Sequence, residues 1–301
     1  MAIDRFLNDA NLEQQIAPTV ELNRLFPPDG ARVLLKLESC GPTGSIKDRA
    51  ADALFNAALQ LGLATPQTHI VEATSGAFGV ALARLAAARG VKATIVAPES
   101  IDAKRRALVE RFGANVALTP ASAGMTGAIK EARKIIAADP NAWSPNLFEN
   151  HANPAAYETS VAPELWRASG GVIDAFVAGV GSGGAFTGIA RYLRRMNASI
   201  ERIAVEPEGA AVLAGTSFGI RGGAIPGLGA GFIPPIFDRS LPTQLATVTP
   251  DEAAQWRDRI ARVEGLQVGL STGANLAVVA RLASRRDYYG KTLVTLAFSR
   301  E

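Results

Sequence analysis

The feature that most limits what this chain can fold into is a repeated alternation. Short runs of β-branched and aliphatic residues are each followed by a turn and then by an Ala/Leu-rich stretch with helical spacing. Residues 33–37, 69–73, 93–97, 114–118, 172–180, 200–205 and 293–298 read as strands, and residues 46–63, 79–89, 103–112, 125–138, 186–196, 251–264 and 273–284 as helices. Strands that alternate with helices build parallel sheets covered by helices on both faces, an α/β fold. With 301 residues, the chain exceeds what one core organises well, so two lobes are expected. The Pro/Asn-rich stretch 140–154 marks the seam. It gives an N-terminal lobe over 41–150 and a second lobe from 1–40 and 151–301. A Gly/Pro-rich stretch, 215–235, breaks the alternation, and loops of that length are usually functional.

Composition removes several classes of function. There are 31 basic and 28 acidic side chains, a net charge of +3, and no long basic run that would grip nucleic acid. The pairs Arg194-Arg195 and Arg285-Arg286 fall at expected helix ends, where cations suit the dipole. The single cysteine, Cys40, allows no intrachain disulfide; it reads as a buried structural thiol and places the chain in the cytoplasm. No apolar run is long enough to span a membrane, and the charged N-terminus does not read as a signal peptide. The two histidines, His69 and His151, speak against a His-rich metal site or a Ser-His-Asp triad.

In parallel α/β sheets, ligands bind where strands end and helices begin. Four such turns are rich in Gly, Ser and Thr. In the first, Gly41-Pro42-Thr43-Gly44-Ser45-Ile46-Lys47, Ser45 reads as a helix N-cap and Lys47 as a first-turn residue. The positive helix end and desolvation lower an amine pKa, which suits Schiff-base chemistry. A surface lysine near a helix start is the plainer alternative. The second turn, Thr74-Ser75-Gly76-Ala77-Phe78-Gly79, offers hydroxyls and amides to an anion such as a carboxylate. The third, Gly179 to Gly188, has the glycine density with which amides wrap a phosphate. It also contains a G-x-G-x-x-G, with Glu206 at the spacing of a ribose-binding acid, so a dinucleotide site is the rival reading. The fourth turn, Gly269 to Asn275, reads as a structural helix cap.

Taken together and in order, these turns resemble the cysteine synthase / cystathionine β-synthase family of fold-type-II enzymes that use pyridoxal 5'-phosphate (PLP). Pro42 to Arg49 is similar to the family's PTGSVKDR, and Glu72 to Gly76 to the start of its EATSGNTG. Gly181, Ser182, Gly183, Gly184 and Ala185 resemble its GTGGT phosphate cup. Asn153-Pro154 resembles part of its NPANP, and Ile225 to Pro234 its IxGIGAGFIP. The resemblance implies a tryptophan synthase β-like fold and a homodimer. Lys47 then holds PLP, residues 181–185 bind its phosphate, and Ser299 meets the pyridine nitrogen. Thr74, Ser75 and Gly76 bind an amino acid substrate, and a small lobe around 80–125 moves over the cleft. The implied activity is a transferase reaction of amino-acid biosynthesis: β-replacement on an O-activated L-serine, O-acetylserine or O-phosphoserine, through an aminoacrylate.

Three positions depart from the pattern. The family asparagine beside the cofactor's phenolic oxygen is Ala77. The next threonine is Phe78, and the carboxylate-binding glutamine is Leu147. Each change removes a polar group. That points to a different substrate or a non-sulfide nucleophile, or to a catalytically reduced or regulatory member of the family. Arg221, in the long loop, is a candidate to meet a substrate carboxylate or phosphate, and His151 a candidate to reach the site.

Overall fold

The computed structural model describes residues 16–215 and 225–300. Ten strands are present: β1 (Thr19–Glu21), β2 (Arg32–Lys36), β3 (His69–Ala73), β4 (Lys92–Pro98), β5 (Asn115–Thr119), β6 (Ala142–Trp143), β7 (Ala175–Gly179), β8 (Glu201–Pro207), β9 (Gln244–Val248) and β10 (Thr292–Leu296). They form two sheets, in two compact units of the chain.

The first unit takes residues 47–152 of the described chain. Its four strands run in the order β5-β4-β3-β6, all parallel. Neighbouring residues of one strand point to opposite faces. Val96 packs with Val71 against Ala128 and Ala132 of the helix Gly124–Ala138. Ile95 instead faces the helix Ala77–Arg89, where a Cβ on Gly79 would lie 3.0 Å from it. The two helices therefore cover opposite faces. A buried arginine, Arg84, joins the helices at the front of this unit: it lies 3.4 Å from Asp48 and 2.5 Å from Asp52 of the helix Lys47–Gln60.

The second unit takes residues 16–46 and 153–300. Its six strands run β1-β2-β10-β7-β8-β9, parallel except for β1. The strands β7 and β10 are buried at every position, as expected of central strands covered on both faces. The seams fall at Ile46/Lys47 and Ala152/Asn153, a few residues from those expected. Ser45 and Ile46 stay with the second unit because Ser45 bridges Ser299 and the Ile46 amide donates to the Phe298 carbonyl.

Five elements had no clear sequence signal: the helices Ala152–Thr159 and Val161–Ala168, and the strands β1, β6 and β9. Two residue expectations are also corrected. Cys40 is exposed, not buried, because it ends a short 3-10 turn at the surface. Ser45 is not a helix cap: the helix starts at Lys47, and Ser45 pairs with Ser299.

Candidate active site

In the second unit, β7 ends at Gly179 and the chain turns through Val180, Gly181, Ser182 and Gly183 into the helix Gly184–Met196. The first amides of a helix have no partner inside it and carry its positive end, so this turn is built to hold an anion. Two glycines there are enforced by close approach. A Cβ on Gly181 would lie 2.1 Å from the Gly227 carbonyl oxygen, and one on Gly184 would lie 2.0 Å from Asn153 Oδ1. Asn153 is itself buried and donates through Nδ2 to Ser182 Oγ at 3.4 Å. The loop over 225–231 is tied down as well, with the Gly229 amide donating to the Val180 carbonyl.

The strand β10 lies beside β7 in parallel, so Ser299 and residues 181–185 leave the same edge of the sheet. The Ser299 carbonyl accepts from the Gly269 amide, and Thr272 Oγ1 accepts from the Phe298 amide. Asn275, fully buried, joins the two strand ends. Its Oδ1 accepts from the Gly179 amide at 2.8 Å and its Nδ2 donates to the Leu296 carbonyl at 3.0 Å. The fourth turn thus acts structurally, as its sequence suggested, through a residue whose partners the sequence did not reveal.

Lys47 opens the first helix of the first unit, two residues along the chain from Ser45. Its side chain keeps some solvent access, yet the protein packed around it lowers the ammonium pKa to about 8 by desolvation. The neutral amine is the form that condenses with an aldehyde. Its fraction rises from about one-tenth at pH 7 to about nine-tenths at pH 9. Apoprotein is therefore expected to take up PLP about ninefold faster at pH 9 than at pH 7, followed by stopped-flow absorbance. A flat profile would mean that Lys47 ionisation does not control uptake.

In the same unit Thr74, Ser75 and Gly76 follow β3, partly exposed, and Thr74 Oγ1 accepts from the Gly76 amide. Ala77 starts the next helix. Phe78 is 2% exposed and Leu147 5%, so both apolar replacements lie in the protein interior. The Leu147 amide donates to Glu72. Burial pushes the Glu72 pKa up, against the opposing pull of bonds from Ser144, Leu147 and Asn146.

Other candidates separate from this chemistry. The carboxylate of Glu206 accepts from the amides of Leu213 and Ala214, which occupies the group that a ribose would need. His151 is exposed, and Arg221 lies outside the described residues. His69 does bridge a hydroxyl and a carboxylate, in a structural arrangement built on threonine. His69 bonds Thr94 Oγ1 at 2.8 Å and Asp139 at 2.7 Å. It sits at the start of β3, at the opposite end of that strand from Thr74, and fastens the end of the helix Gly124–Ala138 to the sheet. Among the described residues no group of three His, Cys, Asp or Glu is placed to hold a metal, and no helix is long and apolar enough to cross a membrane.

Each unit carries groups that fit PLP: the first a desolvated lysine amine, and the second a glycine turn at a helix N-terminus suited to a phosphate and a neutral serine hydroxyl on the neighbouring strand end. Comparison with known proteins agrees. The family model "Pyridoxal-phosphate dependent enzyme" matches residues 11–299. Cysteine synthase 3 of Caenorhabditis elegans is 39% identical, over 92% of this chain and 82% of that protein. The crystal structure of cysteine synthase from Entamoeba histolytica superposes with a TM-score of 0.89 at 34% identity, over 94% of this chain and 84% of that one. That of O-ureido-L-serine synthase does so with a TM-score of 0.89 at 33% identity, over 94% and 88%. The fold, the cofactor and the enzyme class expected from the sequence, a PLP-dependent transferase of cysteine synthase type, are those these relatives define. The chain belongs to the pyridoxal-phosphate-dependent enzymes, in their cysteine synthase-like, fold-type-II branch.

Proposed function

We propose that this enzyme catalyses β-replacement on an O-activated L-serine, with Lys47 as both the cofactor anchor and the base. The observation that carries this reading is the lowered Lys47 pKa in a chain that also holds the 181–185 cup and Ser299 on adjacent strand ends. PLP, when bound, supplies the electron sink that makes the Cα proton acidic. Lys47, as its neutral amine, takes that proton from Cα. The leaving group departs from Cβ with its bonding electron pair, and a nucleophile forms the new bond there. Ser299 would offer a bound cofactor's pyridine nitrogen a neutral hydroxyl rather than a carboxylate, which would keep the sink mild, as suits loss of a good leaving group. The amides and hydroxyls of Thr74, Ser75 and Gly76 hold the substrate carboxylate. The working form is a cytoplasmic homodimer.

Ala77, Phe78 and Leu147 favour a second step adapted to something other than sulfide, and O-ureido-L-serine synthase is a solved relative of that kind by name. The same three residues support a second reading, a catalytically reduced or regulatory protein. Visible absorption separates the two. A PLP band that shifts on adding O-acetylserine or O-phosphoserine identifies the accepted leaving group. A band indifferent to both removes the O-activated serine reading and leaves the regulatory one.

A further inference from the structure

Glu72 stands near the C-terminal end of β3, on the face of the sheet opposite Val71, and is 6% exposed. A carboxyl group inside an apolar strand is costly unless it is hydrogen-bonded, and its bonds all lead to one turn. Ser144 Oγ donates to Oε2 at 2.6 Å, the Asn146 amide to Oε2 at 3.3 Å and the Leu147 amide to Oε1 at 3.4 Å. This turn follows β6, whose pairing with β3 stops after His69↔Ala142 and Ile70↔Trp143. Continued, that register sets Pro145 beside Glu72, and proline has no amide to give to a ladder. The Glu72 side chain takes up the amides that follow it. Asn146 has φ 52°, the one positive value at a non-glycine residue among the described residues. The amides of Glu149 and Asn150 then fold back onto its carbonyl. Because β3 and β6 are parallel neighbours, this turn and Thr74, Ser75 and Gly76 leave the same edge of the sheet side by side.

We propose that Glu72 is a positioning residue for the amino acid substrate, seating the 144–150 turn beside Thr74, Ser75 and Gly76 and so setting how tightly the substrate is held. The inference rests on the proposed amino acid chemistry. It gives a reason for a buried acid between Val71 and Ala73, and it makes Leu147 a wall fixed through its main chain.

The test uses PLP-loaded wild type, Glu72→Gln and the milder Ser144→Ala. Amide hydrogen exchange reports on the turn. The dissociation constant of L-alanine, an amino acid with no leaving group, is read from its shift of the visible band. Both variants should keep a full complement of PLP. Exchange over 144–150 should quicken about tenfold and L-alanine binding weaken about tenfold in Glu72→Gln, with about threefold changes in Ser144→Ala. A loosened turn with unchanged L-alanine binding would overturn the proposal while leaving the functional reading in place. Wild type that holds PLP but binds no amino acid would remove both. Should Glu72→Gln fail to fold, Ser144→Ala decides alone, and an unchanged dissociation constant there overturns the proposal.

Discussion

Lys47→Ala is expected to cut turnover of an O-activated serine by at least about 10³-fold, since a positioned base contributes ~10²–10⁴ and this residue also anchors the cofactor. Among the described lysines it is the one whose amine pKa burial lowers, to about 8, and it stands at the head of a helix. Borohydride should fix PLP to the Lys47-containing peptide of the wild type and to no peptide of the variant. Added methylamine, a small free base, should restore part of the rate, which a misfolded protein would not allow. Normal turnover by Lys47→Ala would remove Lys47 from the reaction and the proposed chemistry with it.

The second large effect is expected at Gly181. A methyl group there meets the Gly227 carbonyl oxygen at 2.1 Å, and a backbone carbonyl cannot swing aside as a side chain does. Overpacking usually costs ~1–3 kcal/mol, and the upper end applies because the cup or the 225–231 loop must move as a whole. A loss of ~3 kcal/mol in holding the phosphate corresponds to PLP binding about 100-fold weaker, measured by titrating apoprotein. Gly209→Ala makes a useful control, because nothing lies within 4 Å of a Cβ there and its φ, like that of Gly181, is not positive. Equal PLP affinity in Gly181→Ala and wild type would show that the turn is not the phosphate seat.

The fold was legible because its alternation is local: each strand, turn and helix is written in contiguous residues, and so are the motifs around Lys47, Thr74 and Gly181. What stayed hidden depends on partners far away in sequence. Proline usually interrupts a helix, yet Pro154 and Pro163 each lie in the first turn of one, where an amide has no intrahelical acceptor and its loss is harmless. The strand β9 is a half-exposed edge with one neighbour, so its sequence carries little alternation. Ser45 has the chemistry of a cap, but the helix begins at Lys47, and the Ser45 main chain pairs with Ser299. Asn275 gives no local sign that it bonds two different strands. Glu72 did leave a trace, a charged residue within His-Ile-Val-Glu-Ala, although only the structure shows the turn that it holds.

The place of β10 has a consequence for how the protein is made. It is the last strand in the sequence but sits third in a six-stranded sheet, between β2 and β7, so no shorter chain can close that sheet. Until β10 inserts, β2 and β7 each present an unpaired edge, and such edges invite the wrong neighbours. The strand edges around the cofactor seat, which needs the end of β10, are therefore complete only once this sequence-distant strand is in place.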